Sequence, residues 1–403
     1  LVLMACFLGM SVGLMAAPRR RYFINTVIPL TLLTAALAYG VLWVYNANDR
    51  VTIDVGGQRS PEQIFFGTEA RSNDPSKFIV PIEAVAGSVF ALIALMFVGI
   101  GQAMGRRFNE LPDRVRAYTT NVGGSLAGLV SFALVSWWQL LPTVWFAIAL
   151  GPLLVFTRRR GLQAACLAGV LGIVAYDSYP SGGRSETAWS PYYKVGFDKN
   201  SMMVYVNNIF HQAIQPFWPM GTSYALPHLL NRDAGEAAFE NVLVIGAGTG
   251  NDVSAALALG AKHVDAVEID PRIQEIGRTY HPDHPYSDSR VTVHLDDGRR
   301  FLHTTTRKYD LIVYALVDSL VLHSGYSSLR LESFLFTEQA FRDIKERLKP
   351  GGVFAMYNFY RQGWVVGRLR AMAEKVFGAE ALVISVPYQE KIAPSDSQET
   401  YMT

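Results

Sequence analysis

Residues 244–252 read Val-Ile-Gly-Ala-Gly-Thr-Gly-Asn-Asp, an apolar run ending in Gly246, Gly248 and Gly250 at alternate positions. Glycine at such a turn removes the side chains that would keep the backbone from bending sharply and approaching a ligand. The dinucleotide motif GxGxxG needs its third glycine one position later, where Asn251 stands, so this spacing argues against NAD. About 20 positions on, Glu268 closes the next apolar run, where a carboxylate can accept both ribose hydroxyl protons. Asp296 and Asp297 close the run after that and are placed to meet an adenine amino group. Glycines also make tight turns in proteins that bind nothing; the combination with the acidic ends carries the nucleoside reading. The nucleoside implied is S-adenosylmethionine or a derivative of it.

These residues must sit at the carboxyl ends of strands, and the chain from Asn241 onward has the pattern to put them there. Strand-like runs at NVLVIG, HVDAVEI, RVTVHL, YDLIVYAL, GVFAMYNF and ALVISVP alternate with helical stretches starting at Asp252, Pro271, Arg299, Thr337 and Trp364. Such alternation predicts a three-layer, Rossmann-like α/β domain with a mostly parallel sheet and helices on both faces. Before it, YYKVGFDKNSMMVYVNN reads as two short strands around a polar turn, a β-hairpin. DSYPSGGRSE, from Asp177, is a polar linker.

The first part of the chain is different. Half of the 403 residues are hydrophobic and 17% are charged. Residues 1–176 carry 14 Lys and Arg against 8 Asp and Glu, and the remainder 22 against 26, so a basic, greasy portion precedes a mildly acidic one. No global basic excess points to nucleic acid. Cys6 and Cys166, the only cysteines, both lie in apolar segments and offer the second portion neither a disulfide nor a thiolate metal site.

Six apolar segments predict a multi-span helical bundle: 1–17, 23–45, 80–104, 122–140, 142–156 and 162–176. The first has no Met or basic start, so the expectation is a bundle truncated at its N-terminus rather than a signal peptide. Gly and Ala in GGSLAGLVSFAL and LAGVLGIVA are expected to allow close helix packing. The basic connections PRRR, GRRFNELPDRVR and TRRR fall in every second loop and should face the cytoplasm of a plasma or inner membrane. A spanning segment 162–176 would then carry the C-terminal half outside. Its 15 apolar residues cover only about 22 Å, so the expectation is that it re-enters or lies in the interface and leaves that half cytoplasmic. The domain scheme is thus 1–176 membrane region, 177–186 linker, 187–235 β-hairpin subdomain and 236–403 nucleoside-binding domain.

VLVIGAGTG, VEIDP, RVTVHLDDGRRFL, KYDLIV and FTEQAFRDIKERLKPGG together resemble the spermidine synthase, or polyamine aminopropyltransferase, family, in the form fused behind a multi-span membrane region. SPYYKV and NNIFHQ sit where that family has its small β-domain, so the resemblance covers roughly residues 187–388. It implies that Glu268 binds ribose, Asp297 binds adenine, Gln212 lines the substrate cleft and Asp318 is the catalytic aspartate. The co-substrate would be decarboxylated S-adenosylmethionine, or S-adenosylmethionine itself, and the acceptor a polyamine-type amine. No metal is implied, and a homo-oligomer is left open.

The chemistry asks for a residue like Asp318, because the attacking amine is protonated at neutral pH and a carboxylate can take its proton. The alternative for Asp318 is a helix N-cap; His323 and Glu332 read as solvated surface residues. Two positions depart from the family. Thr249 stands where its GGGDG loop has an aspartate, and Tyr193 where its first hairpin strand has a glutamine. These departures keep two alternatives open: a methyltransferase using S-adenosylmethionine, and a non-catalytic nucleoside sensor regulating the membrane half.

Overall fold

The computed structural model describes residues 2–47, 51–54, 78–178, 185–207, 209–217, 223–317, 334–358, 363–384, 386–387 and 401–402. The chain divides into two units, residues 1–58 with 67–183, and residues 59–66 with 184–403.

The first unit is helical: α1 Val2–Met15, α2 Val27–Ala47, α3 Ile82–Glu110, α4 Arg114–Trp137, α5 Pro142–Leu150, α6 Leu153–Phe156 and α7 Arg160–Ser178. Two short strands, β1 Val51–Asp54 and β2 Phe78–Pro81, pair in parallel. A helix satisfies its backbone polar groups within its own segment, so an apolar helix is compatible with a hydrocarbon surrounding. Among the described residues, three stretches are long and apolar enough to cross a membrane: Phe23–Val41, Ala84–Glu110 and Arg114–Trp137. The fifth apolar segment is broken at Gly151 and Pro152 into α5 and α6. Helix α4 starts eight residues before its apolar run, where the Asp113 carboxylate accepts from Val115 N and Arg116 N at 2.9 and 3.1 Å and caps it.

Close packing occurs at one of the glycines expected, Gly169 of LAGVLGIVA, and at others that were not expected. A Cβ added to Gly9 would stand 2.2 Å from Ala94 O, and one on Gly13 2.4 Å from Val98 O, so the backbones of α1 and α3 touch. Gly123, Gly124 and Gly128 of GGSLAGLVSFAL have nothing within 4 Å, because periodicity marks a small face without naming its partner.

Helix α7 is longer than the apolar run read from the sequence, and it falls among the shorter apolar helices rather than the membrane-length ones. It has 19 residues, about 28 Å, because Arg160, Gly161, Asp177 and Ser178 extend the apolar run at both ends. It lies along α2: Gly169 meets the Leu32 side chain, Val170 and Ile28 share one buried cluster, and Tyr176 packs edge-on against Tyr39 at 5.6 Å. Helices α2 and α7 therefore pack side by side with their C-terminal halves together.

The second unit opens with four antiparallel strands in sequence order, β3 Ser185–Trp189, β4 Lys194–Asp198, β5 Met203–Val206 and β6 Ile209–Ala213. The expected hairpin is its middle pair. Ser185 and Glu186 belong to β3, so the linker of 177–186 is shortened at both ends. After α8 (Leu226–Asp233) come β7 Asn241–Ile245, α9 Asn251–Ala258, β8 His263–Glu268, α10 Pro271–Tyr280, β9 Val291–Leu295, α11 Gly298–Thr304, β10 Tyr309–Ala315, α12 Glu338–Arg347, β11 Leu348–Tyr357 and α13 Gly363–Phe377.

Strands β7 to β11 form one wholly parallel sheet in the order β11-β10-β7-β8-β9. The alternation of β7 explains the layers. Leu243 and Ile245 face a core shared with Phe301 of α11, Phe341 of α12 and Leu369 of α13. Val242 and Val244 face the opposite core, with Val253 and Ala256 of α9 and Tyr286. The sixth run, ALVISVP, does not join: Val386–Pro387 (β12) pairs with Tyr401–Met402 (β13) in a separate two-stranded ladder. Pro387 has no N–H to donate to a central ladder.

Candidate functional site

From β7 the chain winds outward one way through β8 and β9, then returns to the other side of β7 with β10. In open α/β sheets the crevice at such a switch point, outside the carboxyl strand ends, is where ligands bind. The glycine loop leaves β7 there, and Val317, two residues beyond β10, comes within 3.1 Å of where a Gly246 Cβ would stand.

All three loop glycines have positive φ, at +77°, +55° and +105°. Gly248 shows why glycine is needed: a Cβ would lie 2.6 Å from Gln212 Oε1 in addition to the unfavourable φ. Gly246 N and Ala247 N both donate to Val267 O at 3.0 Å, and the Tyr286 hydroxyl donates to Gly248 O at 2.7 Å, so the loop is held from two sides. Helix α10 backs it directly, since a Cβ on Gly277 would stand 2.3 Å from Thr249 O. Gln212 Oε1 accepts from Thr249 N at 3.1 Å, which brings β6 of the small sheet over the loop. The Thr249 hydroxyl is buried and has no hydrogen-bond partner among the described residues.

Glu268 ends β8 beside the loop and is buried. Its Oε2 accepts from Gly248 N and its Oε1 from Asp270 N, both at 2.8 Å. Burial pushes its carboxyl up to about 7, and the two backbone donors hold it from going higher. Each oxygen has a second acceptor position left for a hydroxyl. Asp270 caps α10 through Arg272 N and Ile273 N and receives the Ser190 hydroxyl of the small sheet. At the end of β9, Asp297 caps α11 by accepting from Arg300 N at 2.9 Å. Asp296 accepts from Asp297 N and pairs with Arg300, both at 2.9 Å. A helix-capping role for Asp297 is therefore occupied, and its second oxygen is the one that could meet a base.

Behind the loop lies a polar cluster that the sequence reading did not single out. Asp252, in the first turn of α9, is buried and accepts from the Tyr357 hydroxyl at the end of β11. Burial raises its carboxyl to about 7. Asn251 donates to Ala213 O and accepts from Gln215 N and from the His281 ring. His281 is fully buried, which pushes it down to about 4, so its ring is neutral and serves as structure. Buried polar residues just after a glycine loop were the one available signal for this cluster.

Of the hairpin residues, Tyr193 packs against the core of the small sheet with Val195, Phe197 and Ile273. Its neighbour Tyr192, 43% exposed, is the one at the acidic edge. Its N–H donates to Ser190 Oγ, itself bonded to Asp270. Burial first, then the carboxylates of Asp270, Asp297, Asp296 and Glu268, raise its phenol above the usual range. Asp318, His323 and Glu332 lie outside the described residues. Among the described residues no group of three or more His, Cys, Asp or Glu could hold a metal ion.

A parallel sheet with a glycine loop at its switch point and carboxylates on two neighbouring strand ends is a Rossmann-like architecture, whose ligands bind in that crevice. Residues 228–388 match the spermine/spermidine synthase domain. The chain is similar to the polyamine aminopropyltransferases of Klebsiella pneumoniae (strain 342), 33% identical over 145 residues, and Prochlorococcus marinus (strain MIT 9313), 35% identical over 124. The matches cover 33% and 30% of this chain and 46% and 40% of those proteins, so the chain spans less than half the length of these relatives. A solved spermidine synthase from Thermotoga maritima aligns with 54% of this chain and 70% of its own at 16% identity, with a TM-score of 0.38.

Proposed function

We propose that the second unit is a spermidine synthase-like aminopropyltransferase, tethered to a membrane by the first. The donor is decarboxylated S-adenosylmethionine and the acceptor a polyamine-type amine. The observation that carries this reading is Glu268, buried at the switch point with both oxygens on backbone N–H groups of the loop and the next helix turn. That geometry suits a carboxylate receiving the two ribose hydroxyls, with Asp296 and Asp297 on the adenine side.

In the reaction the amine nitrogen attacks the methylene carbon next to the sulfonium. The new C–N bond forms as the C–S bond breaks, its electron pair going to sulfur, which leaves as the neutral thioether methylthioadenosine. The proton lost from the amine goes to a base. Asp318 is proposed for it, following Val317 at the loop's edge, and its charge would also hold a cationic acceptor. Gln212, already over Gly248, would line the cleft.

Thr249 favours one second reading. A buried neutral hydroxyl, in place of a carboxylate, offers no counter-charge to an aminopropyl ammonium, as a methyltransferase using intact S-adenosylmethionine would not require. Purified full chain incubated with labelled decarboxylated S-adenosylmethionine and a panel of amines tests the proposal. Label transferred to an amine with an equal yield of methylthioadenosine is expected. S-adenosylhomocysteine formed from S-adenosylmethionine would establish methyl transfer instead, and nucleoside binding without either product would leave a sensor.

A further inference from the structure

The basic connections of the first unit, up to about 140 residues apart in sequence, meet at one place. Tyr22 is the pivot: the Arg106 guanidinium lies 3.9 Å and that of Arg158 5.0 Å from its ring centroid. Arg106 donates from Nε to Ala17 O at 3.2 Å and from Nη2 to Arg21 O at 3.1 Å. Gln102, buried in α3, donates to Ala16 O and Arg21 O and accepts from Phe23 N. Asn25 takes the Arg158 N–H at 2.6 Å, and its carbonyl receives Gln163 of α7. The backbone of the turn at 16–25 is thus stapled to α3 and to the start of α7.

Arg19, Arg20, Arg21, Arg158, Arg159 and Arg160 are exposed there, and none has a carboxylate partner among the described residues. Nearby, Glu110 is spent on Arg107 at 2.8 Å and Asp113 caps α4. Like charges gathered on one rigid surface repel each other unless an external anion balances them. The described part of this unit has ten arginines and no lysine. Guanidinium presents a planar fork of donors that fits phosphate oxygens two at a time, which ammonium does not. The cluster also sits where two membrane-length helices end, just before the Phe23–Val41 stretch and at the close of Ala84–Glu110, hence at headgroup depth.

We infer that this arginine platform binds the phosphate groups of anionic phospholipids. The inference rests on the membrane reading of the first unit. It is tested with the full chain in bilayers of phosphatidylcholine holding a minor share of spin-labelled phosphatidylglycerol or spin-labelled phosphatidylcholine. The expected result is a motionally restricted component several-fold larger for the anionic label. Each arginine near an anionic surface is worth about fivefold in affinity. Replacing Arg158, Arg159 and Arg160 with Gln should therefore bring the two labels level, while the same three changed to Lys should keep only part of the preference. Arg20→Gln alone, checked for unchanged thermal unfolding in neutral lipid, gives a graded loss if the triple variant does not fold. Equal association of both labels with the wild type would overturn the inference, as would a triple Gln variant that keeps the preference. Complete displacement by millimolar inorganic phosphate would reassign the platform to a soluble anion. A chain that does not float with vesicles at all would instead bring down the membrane reading.

Discussion

At the scale of single residues, the proposed nucleoside site depends on the charge state of Glu268. Its folded value of about 7 means that near pH 6 the empty protein holds it mostly protonated. A ribose donating two hydroxyl protons favours the ionised form, so binding below pH 7 must release a proton. Methylthioadenosine affinity should fall about tenfold per pH unit below about pH 7 and level off above it. Calorimetry in two buffers of different ionisation enthalpy measures the proton released, and Glu268→Gln should abolish both the slope and the release. Tyr192 should be the aromatic contact. Tyr192→Ala is expected to weaken methylthioadenosine about tenfold, on the scale of base–aromatic stacking, while Tyr192→Phe keeps the ring and the affinity. Asp318→Asn separates base from cap. A base is worth about 10² to 10⁴ in rate, whereas a lost cap costs only about 0.5 to 2 kcal/mol of stability. The Asn variant should fold, bind nucleoside and turn over at least about a hundredfold slower, with partial recovery at high pH where the amine is already deprotonated.

At the scale of elements, the loop is held by hydrogen bonds to β6 and β8 and backed by α10. Gly277 lets α10 touch the Thr249 carbonyl, and that neighbour is backbone and cannot turn aside. Gly277→Ala should therefore displace α10 from the loop, lowering stability by about 1 to 3 kcal/mol and weakening the nucleoside site together. Thermal unfolding and calorimetry on one preparation check both. Asp252 at the start of α9 has its carboxyl raised by burial to about 7 from a usual value near 3.8. An acid raised in this way favours the folded state while it is protonated. Its contribution is fully present below about pH 4 and is lost as pH rises through 7. Urea midpoints between pH 5 and 8 should fall with rising pH in the wild type and fall less in Asp252→Asn, which also leaves Tyr357 a partner.

At the scale of the whole molecule, α7 decides what the first unit does with the chain that follows. Because Tyr176 meets Tyr39 while Arg158 meets Tyr22, the chain enters α7 at the arginine end and leaves at the other. Arginines inside and a transferase inside are therefore incompatible if α7 spans. Single cysteines introduced at Arg20 and at Ser181, in a background lacking Cys6 and Cys166, test this with an impermeant thiol reagent on intact cells. The expected outcome is that one position labels and the other is protected. Labelling of both, or of neither, would show that α7 does not cross.

The alternation from Asn241 to Tyr357 was enough to read the α/β class and the order of its five strands along the chain, because parallel strands buried on both faces are continuous apolar runs. The glycine spacing was enough to place a tight loop at the end of β7, because glycine adopts those three φ values without strain. Local pattern could not show that β10 returns beside β7 and so opens the crevice there. It could not show that Tyr192 rather than Tyr193 stands at the acidic edge, since the two lie in the turn between β3 and β4, where no strand alternation says which one faces the core. The same holds for Gly277 under Thr249, the buried Asp252–Tyr357 pair and the arginines gathered on Tyr22. Each is a contact between residues 25 to 140 positions apart, and periodicity states which face an element buries but never which element covers it.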